Sequence, residues 1–140
     1  MAHPLHPALV HFPIACWSLG TLADLASLQF GEEVLHYATV LITVGVVFAI
    51  PAMLSGLLEL LRLKNQTRLQ ELVINHMVFA VSAWLLYIVA LLVREKAIEY
   101  QQILSLVFSI SGFICLSIAG WKGGKLVYEN GVGVNNLGSE

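Results

Sequence analysis

Three residues of this 140-residue chain, His11, His76 and Glu59, have the types and the placement to hold a metal centre. Two neutral imidazoles on opposed helices can be the axial ligands of a haem iron. Two imidazoles with one carboxylate can instead bind zinc or non-haem iron directly. His3 and His6 stand just ahead of His11 and are further candidate metal ligands, proton carriers or cap residues. The segment His3-Pro4-Leu5-His6-Pro7, followed by His11-Phe12-Pro13, is dense in imidazole, which by itself is only compositional evidence.

What positions these residues follows from composition. Hydrophobic residues make up 58% of the chain and charged residues 11%, with a mean hydropathy of +0.81. Soluble globular chains carry about 25% charge. Disorder is excluded, because the apolar content is ample for burial. Seven Lys and Arg against nine Asp and Glu leave a net charge of −2, so nucleic acid is not a partner.

The apolar residues fall in four blocks, at about 8–30, 37–63, 72–93 and 103–121. Each is close to the ~20 residues that cross ~30 Å of hydrocarbon. The third and fourth contain no Asp, Glu, Lys or Arg, and the third a single histidine, His76, so neither has the charged face of a soluble helix. Short polar links force neighbours to run antiparallel. The expected fold is all-α: a single integral membrane domain over 1–140, an up-down-up-down four-helix bundle in a lipid bilayer. Residues 122–140 are expected to form an ordered loop and tail folded under the histidine side. The first block has no basic leader and no small-residue cleavage site, so it is read as retained rather than as a signal peptide. No stretch reads as a linker, a repeat or a low-complexity tract.

Four spans put both termini on the side of the link between spans two and three. That side holds Arg62, Lys64, Arg68, Lys122 and Lys125, against Arg94 and Lys96 opposite, which predicts cytoplasmic termini. With Pro7 at the first helical position, His11 is four residues inside span one. His76 is four residues into span three, and Glu59 is four from the end of span two. At 1.5 Å per residue all three lie about 6 Å inside one membrane face. Spans one and three are diagonal in such a bundle, so His11 and His76 are expected to face each other.

Small residues let membrane helices approach. The seams expected here are Cys16, Gly20, Ala23 and Ser27; Gly45, Ala49, Ala52, Gly56 and Glu59; His76, Ala80, Ala83, Tyr87 and Ala90; and Ser105, Ser109, Gly112, Leu116 and Ala119. Pro51 interrupts span two and invites a kink. Asp24 lies about 20 Å deeper than His11. It fits either a carboxyl satisfied by a neighbouring Ser or Thr or a proton path. Cys16 and Cys115 read as small buried hydrophobes.

The two ends together, His3-Pro4-Leu5-His6-Pro7 with His11-Phe12-Pro13-Ile14 and Gly123-Gly124-Lys125-Leu126-Val127-Tyr128 with Gly131-Val132-Gly133-Val134, resemble the bacterial four-helix membrane proteins of the domain-of-unknown-function 2231 family. Asp24, an acid near the end of span two (Glu59, where the family more often has Asp) and a histidine early in span three match its pattern. Asn130 stands where the family usually has a histidine, so a site here must rest on His11 and His76. The resemblance implies a bacterial inner membrane. Relatives fused to Rieske-type or cytochrome-type domains tilt the reading towards redox, with membrane or soluble electron-transfer proteins as partners.

The function expected is haem b bound by His11 and His76 for electron transfer, with Glu59 as their partner near the propionates. The alternatives are direct zinc or iron binding by His11, Glu59 and His76, as sensor, transporter or metalloenzyme, and a structural or assembly subunit. Nothing in the sequence opposes an oligomer.

Overall fold

The computed structural model describes residues 5–62, 67–94, 99–129 and 131. Five helices make four spans: α1 (Leu5–Leu9) with α2 (His11–Phe30), then α3 (Glu32–Arg62), α4 (Thr67–Arg94) and α5 (Glu99–Tyr128). Four stretches, Leu5–Phe30, Glu32–Leu61, Arg68–Arg94 and Gln101–Tyr128, are long and apolar enough to cross a membrane.

The first span is nearly one helix. Pro7 sits in the first turn, where its missing N–H is not needed. Pro13 has no N–H to give the Leu9 carbonyl, so the ladder breaks at Val10. Bonds from Val10 N–H to the His6 carbonyl (3.1 Å) and from Ile14 N–H to the Val10 carbonyl (3.2 Å) carry the helix across. Between α2 and α3 the turn is Gly31 alone, at φ +83°, which is open to glycine at little cost. Pro51 lies inside α3, which continues through it.

The last helix extends past the expected end at 121. Lys122 to Tyr128 continue α5 and do not form a loop. Gly120, Gly123 and Gly124 each cost about 1 kcal/mol of helix propensity relative to Ala, a penalty that the apolar turns before them outweigh. Residues 130 and 132–140 of the expected tail lie outside the described residues.

The helices form a ring in which α2 packs on α3, α3 on α4, α4 on α5 and α5 on α2, with α1 against α3. The diagonal helices α2 and α4 run parallel without close backbone approach, so large side chains must fill the centre. Trp17 and Tyr87 do so, stacked with ring centroids 4.8 Å apart and planes 15° apart. With Ile42 and Ala49 they form the buried core.

Three of the expected seams face inwards. Gly45, Ala49 and Ala52 are buried on α3, Ala83, Tyr87 and Ala90 on α4, and Ser105, Ser109, Gly112 and Ala119 on α5. The first differs: Trp17, Gly20, Thr21, Asp24 and Ser27 are buried, while Cys16 and Ala23 are half-buried. Packing the large Trp17 at the centre turns this helix slightly from the face that small residues alone suggested.

Candidate metal-ligand site

At the end of the bundle where the chain starts, His6 of α1 meets His76 of α4. Their ring centroids are 6.3 Å apart and the planes nearly perpendicular, at 88°. The Nδ1 of His6 is 2.8 Å from the Ala52 carbonyl oxygen and 3.2 Å from Ser55 Oγ. The Nδ1 of His76 is 2.9 Å from the Ala119 carbonyl oxygen. A carbonyl only accepts, so in both rings Nδ1 carries the proton and donates it. In the neutral imidazole this leaves Nε2 with its lone pair. That is the arrangement in which a histidine is oriented as a metal ligand, its other nitrogen tied to the protein.

Each ring also lies on a glycine. A Cβ on Gly56 would be 3.0 Å from His6 Cε1, and one on Gly123 would be 3.2 Å from His76 Cε1. Both glycines therefore make room for an imidazole held against a helix backbone.

The expected pairing of His11 with His76 is corrected by this geometry. His6 takes the inward position, because five residues of α-helix turn His11 about 140° away from it. His11 is exposed. The expectation had the helix begin at Pro7, whereas it already includes Leu5 and His6. Glu59 is half-buried on α3, about one turn beyond the Gly56 that seats His6. Among the described residues no three His, Cys, Asp or Glu side chains are grouped to hold a metal ion, so His11, Glu59 and His76 do not converge. His3 lies outside the described residues. His36 is exposed at the other end.

That other end holds a polar cluster around Asp24, whose cationic partner the sequence does not indicate. Arg94 Nη2 lies 2.6 Å from each carboxylate oxygen of Asp24. The guanidinium also donates to Thr39 Oγ1 at 2.9 Å and to Ser105 Oγ at 3.0 and 3.1 Å. Ser109 Oγ donates to Asp24 Oδ2 at 2.6 Å. Asp24 thus has a cationic partner as well as a hydroxyl, and all four spans contribute. In the sequence Arg94 directly follows the third apolar block and counts only towards the charge of that side. The signal that could have found it is depth: Asp24 follows His6 by as many residues as Arg94 follows His76, about 27 Å of helix. The histidine pair and the ion pair are thus separated by about the ~30 Å thickness of a hydrocarbon core.

Between them Tyr87 Oη is 2.8 Å from Thr21 Oγ1 and donates to the Trp17 carbonyl at 3.4 Å. The Trp17 Nε1 is buried without a hydrogen-bond partner among the described residues.

Fold and site together define an all-α integral membrane bundle with an ordered imidazole pair at one end and a buried ion pair at the other. The family model described as "predicted membrane protein (DUF2231)" matches residues 2–136, and the chain belongs to that family. No curated protein and no solved structure matches it.

Proposed function

We propose that His6 and His76 would hold a haem b through their imidazoles, and that the protein carries electrons at one face of a membrane. The observation that carries this reading is the pair of tied imidazoles, each with Nδ1–H on a helix carbonyl and Nε2 left to bind. Two imidazoles alone leave zinc two ligands short of the usual four. An iron porphyrin brings four nitrogens of its own and asks the protein only for axial donors. The two rings are close enough, at 6.3 Å between centroids, for both to serve one centre.

When bound, haem supplies one-electron transfer at a potential set by its ligands and surroundings. The chain's own contribution is orientation. Ala52 and Ala119 fix the tautomer, Gly56 and Gly123 admit the rings, and the apolar spans exclude water. Lys122 lies one residue before Gly123, with its ammonium 5.4 Å from the centre of the Phe79 ring. Glu59 on α3 and Lys122 on α5 are thus candidates to meet propionates and protons. In this reading the protein sits in the bacterial inner membrane with both termini cytoplasmic, by the excess of Lys and Arg on that side, and exchanges electrons with membrane or soluble redox proteins.

The test is the absorption spectrum of protein purified after expression with haem supplied, together with elemental analysis. A Soret band with stoichiometric iron is expected. Absence of the band overturns the reading, and zinc or iron without porphyrin transfers the site to direct metal binding.

A further inference from the structure

The residues that meet across the bundle axis are each other's counterparts in the chain. Tyr87 donates to the Trp17 carbonyl seventy residues away, and Arg94 to Asp24 seventy residues away. His6 and His76 keep the same offset. So do two further buried positions, Pro13 with Ala83 and Gly20 with Ala90.

The second helix of each hairpin follows suit at a constant offset of its own. A Cβ on Gly45 would be 2.5 Å from Trp17 Cδ1, and one on Gly112 would be 3.0 Å from Tyr87 Cε2. Gly56 abuts His6 and Gly123 abuts His76. The carbonyl that holds His6 belongs to Ala52, and the one that holds His76 to Ala119. Going from 45, 52 and 56 to 112, 119 and 123, every step is sixty-seven residues. The same partner types recur at the same spacing: aromatic on glycine, imidazole on alanine carbonyl, imidazole on glycine. These recurring contacts bear on the expectation of no internal repeat. Few residue identities survive outside these contact positions, and apolar lipid-facing residues hide the period.

We propose that the chain is a doubled helical hairpin, and that each half carries the same imidazole holder. The holder is Ala52 with Gly56 in the first half and Ala119 with Gly123 in the second. The two halves are related by a pseudo-twofold axis along the bundle, the geometry of parallel repeats in membrane proteins. The site then presents two equivalent Nε2 donors, one from each half. Its ligand class is a metal centre that would take two equivalent imidazole donors. Ala52, Gly56, Ala119 and Gly123 are positioning residues, acting through the histidines. The ligand class rests on the reading of His6 and His76 as ligands, whereas the holders and their symmetry do not.

The experiment uses the full chain, labelled with 15N-histidine, in detergent micelles without added cofactor. The His6 and His76 resonances are expected to show protonated Nδ1 and unprotonated Nε2 alike. Gly56→Ala should disturb His6, and Gly123→Ala should disturb His76 in the same way. Gly120→Ala and Gly124→Ala, where an added Cβ meets nothing within 4 Å, should leave both rings unchanged. In the haem-loaded protein the two disturbing substitutions should weaken haem binding alike, by about 10–100-fold, the range for lost orientation of a ligand.

Unchanged ring signals in both glycine variants, or an effect of one without the other, would overturn the proposal. Should Gly56→Ala prevent folding, it is repeated in the His6→Ala background. There the methyl has no imidazole to strike, and the melting temperature should be no lower than that of His6→Ala alone, raised if anything by the gain in helix propensity. A further loss in that background also overturns the holder. A wild-type protein without a Soret band but with the paired ring signals and both glycine effects intact removes the haem reading and leaves the duplicated holder standing.

Discussion

Asp24 and Arg94 form a salt bridge at 2.6 Å with side-chain exposures of only 2% and 8%, and the two residues come from diagonal spans. Desolvating both charges is expensive, and their attraction offsets that cost only with good geometry and satisfied remaining donors. Here Ser109, Ser105 and Thr39 supply the remaining bonds. The pair therefore fastens the first hairpin to the second at the end of the bundle remote from the histidines.

Removing one partner leaves the other charge buried. Asp24→Asn or Arg94→Gln alone should destabilise the bundle by about 3–5 kcal/mol, whereas the double substitution should recover most of the loss. Equilibrium unfolding of the four proteins in detergent closes the cycle. A double variant as unstable as the sum of the two single variants would show that the charges do not depend on each other.

At mid-depth the Tyr87 hydroxyl has two buried partners, the Thr21 hydroxyl and the Trp17 carbonyl. Tyr87→Phe keeps the stacked ring and leaves Thr21 without that bond, at a cost of about 1–3 kcal/mol. Tyr87→Ala also empties the centre of the bundle and should cost about 3–5 kcal/mol, the range for truncating a large buried aromatic. The unfolding midpoints should rank wild type, Phe, Ala. Equal midpoints for the Phe and Ala variants would place the stability in the hydroxyl alone.

Gly45 is where the indole of Trp17 lies flat on α3. Gly45→Ala should overpack the core by about 1–3 kcal/mol, in spite of the gain of up to ~1 kcal/mol in helix propensity. Gly120→Ala, with open space beside it, should show the propensity gain alone. Thermal melts of the two variants in the same detergent should move in opposite directions. A common direction would mean that Trp17 yields to the added methyl.

How far the sequence could be read depends on the kind of signal. The spans follow from apolar length, which lipid demands of any crossing helix, and the seams through Ala49, Ala83 and Ser109 follow from the need for small residues at the approach. The partner of Asp24 was hidden because Arg94 closes an apolar block and looks like a flanking charge. With Pro7 as the first helical residue His6 falls outside span one and only His11 is at the right depth; the helix in fact starts at Leu5 and brings His6 into the bundle. Trp17 gave no warning, since small-residue patterns do not mark the one large side chain that fills a diagonal. The duplicated contacts needed the pairs themselves, because Trp17 and Tyr87, or Asp24 and Arg94, share position without sharing identity.

The choice between His6 and His11 has a direct readout in the haem-loaded protein. His6 is half-buried beside His76, and His11 is exposed a turn and a half further along the first span. His6→Ala and His76→Ala should each remove the six-coordinate low-spin spectrum and most of the bound haem. His11→Ala should keep the wild-type Soret band at full intensity. Glu59→Gln should also keep it, since the carboxylate is not one of the two axial donors, and a change confined to the redox potential would place Glu59 near the propionates. Loss of the band in His11→Ala with retention in His6→Ala would return the site to the histidine that the sequence alone favoured. Loss of bound metal in Glu59→Gln, in protein free of porphyrin, would point instead to two imidazoles and a carboxylate on one ion.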